Sequence, residues 1–223
     1  MPLKKNKKIF LYFFLLFFIG ILNNKNINSF EFTKIKQIKV SGLSEKENLE
    51  IWKNLEDYKI FNLFFLKKFH LEKVMNSNNH VEEFFIFKRY PSSLEVKLKQ
   101  TKYLAYINRD KIFFYIGSNG KLIKAKNKKK KLPFIYGNID LEEFFRFKEI
   151  VDKSSFKFVK IKNLFFFPSG RWDIETYSGI LLKLPKLDFE KSLNLYNDLL
   201  NKNKLNDVNS IDFRQSNQVI ING

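Results

Sequence analysis

Apolar residues follow three rhythms along this chain. The first is an unbroken run of 14 apolar residues, Ile9–Leu22, preceded by Lys4, Lys5, Lys7 and Lys8. A helix of that length spans about 21 Å, against about 30 Å of bilayer hydrocarbon. Continuing to Ile27 gives 19 residues and predicts a transmembrane anchor over 9–27, with Asn23–Asn26 snorkelling or at the interface. The run also fits the apolar core of a cleaved secretory signal, about 7–15 residues. Between Asn23 and Phe30, however, no small-x-small cleavage pair occurs, only Ser29. The lysines place residues 1–8 on the cytoplasmic side and the body beyond the membrane.

The second rhythm is mixed. Ile35, Ile38 and Val40 predict a short strand that stops at Gly42, and Ser44 with Glu47 forms a capping box that starts a helix. Leu49, Trp52 and Leu55 recur at helical spacing and are the predicted core face, with Trp52 a core residue rather than a ligand platform. Phe64–Leu66 leads into a second helix over Lys67–Met75, with Leu71, Val74 and Met75 inward. Asn76–Asn79 turns the chain, Val81–Arg89 reads as a strand, and Tyr90–Ser93 turns it again. Leu94, Val96 and Leu98 then alternate with Glu95, Lys97 and Lys99 as a half-buried strand. The predicted order over 33–100 is strand, helix, helix, strand, strand.

The third rhythm is mostly that of strands. Lys111–Ile116 and Lys121–Lys124 flank a Gly117-Ser118-Asn119-Gly120 turn, a hairpin signal. Lys126–Lys131 is a charge run, read as a solvated loop with attraction to anionic head groups as the alternative. Leu141–Val151 predicts a helix; Phe156–Ile161 and Leu164–Phe167 predict strands, the Phe165–Phe167 run being sheet core. Arg171-Trp172 opens another strand, Ser178-Gly179 turns it, and Ile180–Leu184 ends at Pro185. Asp188 is a predicted cap for a helix carrying Leu193, Leu195, Tyr196, Leu199 and Leu200. Val208–Arg214 and Val219–Ile221 are the last strands, joined by a turn at Gln215–Gln218.

Composition narrows the function classes. Removing the N-terminal segment leaves roughly 195 residues, enough for one large or two small domains that bury a core without disulfides. Cysteine is absent, which excludes thiol chemistry and Cys-ligated zinc. The formal charge is +18, but the excess is lysine spread over the whole chain, and arginine occurs only at 89, 109, 146, 171 and 214. Arginine is the better residue for phosphate forks, so this pattern argues against a nucleic-acid surface. His70 and His80, the two histidines, lack ordered carboxylate partners for a zinc site. No nucleophile elbow or phosphate loop is present. Glu82-Glu83 sit on opposite faces of a strand and Glu142-Glu143 suit a helix start, so neither is an acid–base pair. No enzyme, cofactor or metal is expected.

Several motifs recur in a recognisable order. A Val-x-Gly element, Val40 and Gly42, follows the N-terminal segment; about fifty residues on comes Arg-Tyr-Pro-x-x-Leu-x-Val, as Arg89, Tyr90, Pro91, Leu94 and Val96. This resembles the POTRA domain of the FtsQ/DivIB bacterial cell-division proteins. The family's Glu-Arg-x-Pro-x-Ala continuation is degraded here to Gln100–Ala105, keeping only the alanine. Leu132-Pro133 with Gly137, Arg171-Trp172, Leu184-Pro185 and Ile211-Asp212-Phe213-Arg214 resemble the family's later elements.

The resemblance implies an α+β fold: a transmembrane helix, a POTRA domain (β-α-α-β-β) over 33–100, then a mainly antiparallel β-domain with flanking helices over 101–223. It implies a non-enzymatic divisome scaffold in the inner membrane, single-pass, with residues from about 28 to 223 periplasmic, at the division septum. Its partners would be FtsB and FtsL, a coiled-coil pair, and other division proteins near the septal peptidoglycan synthases. FtsB would add to the sheet edge made by the last strands, placing Phe213, Arg214, Gln215, Val219, Ile220 and Ile221 in the contact. Gln215 departs from the aromatic residue usual there. Two other readings suit parts of the sequence: a POTRA-type accessory of outer-membrane protein assembly or secretion, and a secreted periplasmic binding protein with a cleaved signal.

Overall fold

The structure is a computed structural model that describes residues 3–22, 34–125, 131–202, 204–205, 207–215 and 218–223. The chain begins with α1 (Leu3–Leu22), a helix of 20 residues. Ile9–Ile19 are exposed along it, so it is apolar all round rather than amphipathic. Among the described residues no helix is long and apolar enough to cross a membrane. The lysines at 4, 5, 7 and 8 occupy its first turns and shorten its apolar part to Ile9–Leu22. Residues 23–27, which the expected 9–27 span requires, lie outside the described residues.

The chain separates into two compact units, Met1–Asn78 with Glu83–Lys99, and Asn79–Glu82 with Gln100–Gly223. The first contains β1 (Gln37–Ser41), α2 (Glu45–Glu56), a 3-10 turn at Asp57–Ile60 and α3 (Lys68–Ser77). β2 (Val81–Arg89) and β3 (Ser93–Gln100) complete its sheet, in the order β1-β3-β2, with β1 parallel to β3. The capping box forms both ways: Glu47 N–H donates to Ser44 Oγ (3.4 Å) and Ser44 N–H donates to Glu47 Oε2 (3.2 Å). Two orphan donors of the first turn are thereby satisfied.

The core face of α2 differs from expectation. Ile51 and Leu55 are fully buried, while Leu49 is 52% exposed. Trp52 is half-buried, its Nε1 donating to the Ile38 carbonyl (3.1 Å) with the Lys59 ammonium 4.6 Å from a ring centroid. The helix is rotated so that Ile51 and Leu55 reach the buried set of Leu63, Leu71, Met75, Leu94 and Val96. Spacing alone leaves that rotation open.

The second unit is built on one nine-stranded sheet. Its first strands are β4 (Tyr103–Arg109), β5 (Ile112–Gly117), β6 (Leu122–Lys124) and β7 (Phe134–Tyr136), followed by α4 (Leu141–Lys153). Then come β8 (Ile161–Phe166), β9 (Trp172–Thr176), β10 (Leu181–Lys183), α5 (Phe189–Asn201), β11 (Ser210–Asp212) and β12 (Ile220–Asn222). The order is β12-β11-β10-β9-β8-β7-β4-β5-β6. Neighbours are antiparallel except β4–β7, β7–β8 and β10–β11, which are parallel. Two parallel pairs follow from the helices: α4 is the crossover from β7 to β8 and α5 the crossover from β10 to β11, since parallel neighbours cannot be joined by a hairpin.

Phe144, Phe147 and Val151 of α4 and Phe189, Leu193 and Tyr196 of α5 join the buried residues of the strands in one core. Phe147 stacks on Trp172 (4.4 Å between ring centroids) and on Phe189 (5.5 Å). Three local expectations change. Phe158–Lys160 is a 3-10 turn, so the predicted strand over Phe156–Ile161 starts only at Ile161. Asp188 precedes α5 in a left-handed conformation (φ 56°) and makes no side-chain cap among the described residues. Phe165 and Phe166 are half-buried, Phe165 stacking on Tyr136 at 5.0 Å. Most of the Lys126–Lys131 run, residues 126–130, lies outside the described residues.

Candidate functional site

The chain's last elements build a sheet edge. Parallel pairing with β10 fixes β11: Leu181, Leu182 and Lys183 face Ser210, Ile211 and Asp212. Ile211 is fully buried, which pins the strand's register, because a one-residue slip would turn it to solvent. Phe213 follows, and its N–H donates to the Lys183 carbonyl (2.9 Å). Its side chain is only 5% exposed. The Phe213 ring packs into the core of the unit, and Phe213 also lines the groove that runs beside this edge.

Arg214 holds the corner. Its N–H donates to Asp212 Oδ1 (3.0 Å), its Nε to Oδ1 and Oδ2 (2.8 and 2.9 Å), and its Nη2 pairs with Oδ2. The Arg214 guanidinium holds the Asp212 carboxyl below the usual carboxylate range, against the effect of burial. On nearby β9, burial pushes the Asp173 carboxyl up despite its bond from Arg171 Nε (3.2 Å). The two acids therefore pull stability in opposite directions. A depressed folded pKa stabilises above the unfolded carboxyl's pKa, and the gain is lost as pH falls through the folded value. Asp212→Asn is expected to lower the urea midpoint at pH 7 and to match the parent progressively in acid. An unchanged midpoint at neutral pH would refute that role for the pair.

β12 lies outermost, antiparallel to β11, with Ile211 opposite Ile221 and Asp212 opposite Ile220. The Asn222 carbonyl accepts from Asn209 N–H (2.8 Å), so the backbone of Asn222 faces β11. Successive backbone groups on a strand alternate sides, which turns the N–H and C=O of Ile221 to the open edge. Val219, Ile220 and Ile221 are 36%, 42% and 44% exposed. Beside this edge runs a groove of about 580 Å³ whose walls include Leu187, Lys191 and Leu195 as well as Arg214, Gln218 and Val219. Leu187 is 75% exposed. Gln215 is exposed on the same wall. Thus Arg214, Gln215, Val219, Ile220 and Ile221 converge on one edge, as does the groove that sequence reasoning missed. Leu195 carried a signal: it sits off the buried face of α5 set by Leu193 and Tyr196.

An open strand beside a groove with mixed apolar and polar walls can take an extended segment. Among the described residues no group of three metal-ligating side chains occurs. Fold and site together define an α+β protein with a large mixed sheet and an open edge. Residues 105–214 match the family described as Cell division protein FtsQ/DivIB, C-terminal. The chain is 26% identical to a cell division protein FtsQ of Rickettsia bellii over 203 residues, 84% of this chain and 72% of that one. It is 25% identical to one from Rickettsia felis over 231 residues, 95% and 82% of the two chains. A cell division protein DivIB of Clostridium botulinum is 29% identical over 137 residues, 59% of this chain and 50% of that one. Residues 105–214 of the chain belong to the FtsQ/DivIB family of cell-division proteins.

Proposed function

We propose that this chain is a non-enzymatic scaffold of the division machinery that captures a partner segment on the open edge of β12. The observation that carries this reading is the outward backbone of Ile221, set among exposed Val219, Ile220 and Ile221 beside the groove. Main-chain pairing supplies affinity in such additions, and pockets for alternate side chains supply register. The family resemblance names the partner as FtsB in complex with FtsL. The first unit, with its strand-helix-helix-strand-strand order, is the POTRA domain of this scaffold. Residues 9–27 anchor it in the inner membrane with the N-terminus cytoplasmic, and the body from about residue 28 lies in the periplasm at the septum. The exposed apolar surface of Ile9–Ile19 supports the anchor.

The test is binding of the full chain, in nanodiscs, to the FtsB–FtsL pair, with Ile221→Pro alongside. Proline at 221 removes an N–H that faces the open edge and spares the pairing with β11; at Ile220 it would strike that pairing instead. The expected loss for Ile221→Pro is about 10- to 100-fold in affinity, from one or two ladder bonds. A folded variant with parental affinity would remove this edge as the site. Cells depleted of the protein should filament, and normal division without it would overturn the division role.

A further inference from the structure

The segment Ile60–Phe69 of the first unit joins the 3-10 turn to α3 and has an unusual division of its side chains. Leu63 and Leu66 are buried, whereas Ile60, Phe61, Phe64, Phe65 and Phe69 are exposed, Phe65 by 68%. The exposure is built in. Phe64 N–H donates to Asn62 Oδ1 (2.7 Å) and Leu66 N–H to the Asn62 carbonyl (3.1 Å). Ile35 N–H donates to the Phe61 carbonyl (3.2 Å) and Lys88 Nζ to the Leu66 carbonyl (2.7 Å). The two leucines and these bonds hold the loop in shape while its rings face outward. Tyr90, also exposed, extends the patch from the β2–β3 turn, its ring 6.4 Å from that of Phe64.

We infer that this loop is a membrane-surface insertion site, its aromatic rings entering the interface of a bilayer rich in anionic lipid. Two observations select that occupant. The first is charge: Lys67 and Lys68 lie within the aromatic segment, Lys34 and Lys36 just before β1, Lys59 at the segment's start and Lys73 beyond its end. They outnumber Glu56, Asp57 and Glu72, of which Glu56 pairs with Lys59 (2.9 Å) and Glu72 with Lys68 (3.1 Å). Aromatic rings ringed by lysine suit the boundary between acyl chains and anionic head groups. The second is chain length. Lys34 forms a bridge with Asn62 of this loop, and eleven residues, 23–33, separate it from the end of α1. Eleven residues reach at most about 40 Å. An anchored α1 would keep the loop within that distance of the bilayer, so the lipid surface is always in reach. The argument from reach rests on the proposed anchor; the argument from charge does not.

The absence of cysteine allows single nitroxide labels in the full chain. Labels at Phe65→Cys, Phe17→Cys and, as a water-exposed reference in the second unit, Val159→Cys would be read by power-saturation EPR on vesicles. These vesicles contain phosphatidylethanolamine with or without phosphatidylglycerol. The expected result is a Phe65 label about 5–10 Å below the phosphates in anionic vesicles. That label should withdraw to water in zwitterionic vesicles and in a Lys67→Gln/Lys68→Gln background, with the Val159 label in water throughout. A Phe65 label that stays in water while the Phe17 label lies among acyl chains overturns this inference and leaves the anchor standing. A Phe17 label in water with the Phe65 label in the bilayer refutes the anchor and supports the insertion site. A Phe65 label shielded without any lipid shows that protein covers the loop, and also overturns it.

Discussion

Alanine at position 42 is expected to unfold the first unit while the second stays folded. Gly42 ends β1 at φ +113°, a conformation that L side chains rarely adopt. A Cβ there would stand 1.8 Å from the Leu98 carbonyl oxygen and 2.7 Å from its carbon. Those are backbone atoms of β3, so no flexible side chain can yield. Relief would require β1 and β3 to part near Ser41 and Lys97, where the parallel ladder ends. Strain of the positive φ and forced backbone displacement together put the loss above about 3 kcal/mol. A unit this small holds about that much stability in total. Each unit contains one tryptophan, Trp52 in the first and Trp172 in the second. Indole resonances of the Gly42→Ala variant should show the Trp52 signal collapsing to its unfolded position and the Trp172 signal retained. Both signals unchanged would mean that β1 is not needed for the first unit.

The same glycine shows how much of the fold was legible in the sequence. Gly42 after an apolar alternation, then Ser44 and Glu47, located the end of β1 and the start of α2, because those signals act within a few residues. Val81–Arg89 and the alternating Leu94, Val96 and Leu98 gave β2 and β3 for the same reason. What depended on distant partners was not legible. Leu49 and Ile51 are equally apolar, and only the position of α3 and the sheet decides which is buried. Neither crossover could be read, since α4 and α5 look like flanking helices until the strand order is known. The site divides likewise. The last strand was placed within one residue, at Ile220–Asn222 against Val219–Ile221. The groove joins 185–195 to 213–215 and 218–219, and Phe213 packs into the core beside β10, whose Lys183 carbonyl accepts its N–H. Neither fact is local.

Trp172→Ala is expected to produce the largest loss in the second unit, about 3–5 kcal/mol, as for other large aromatic truncations in cores. The indole is 2% exposed, stacked on Phe147 at 4.4 Å, and 4.9 Å from the Phe166 ring. It thus joins α4 to β8 and β9, and alanine would leave a cavity that three fixed elements cannot close. Trp172→Phe should lose much less. The indole Nε1 is buried without a hydrogen-bond partner among the described residues, and an unmade bond of this kind costs about 1–3 kcal/mol. Phenylalanine removes that unpaired donor and keeps a ring against Phe147. Urea unfolding at constant slope would rank the variants: a drop for Trp172→Ala no larger than that for Trp172→Phe would mean that the stack carries little. Phe147→Ala combined with Trp172→Ala should fall short of the sum of the single losses, because each truncation removes the same contact. The functional consequence follows from the strand order. β9 pairs with β10, β10 with β11 and β11 with β12, so the open edge is held by a ladder that begins at β9, the strand that Trp172 opens. Near the unfolding midpoint of Trp172→Ala, the proposed partner capture should weaken in step with the folded fraction, whereas Ile221→Pro should weaken it with the fold intact.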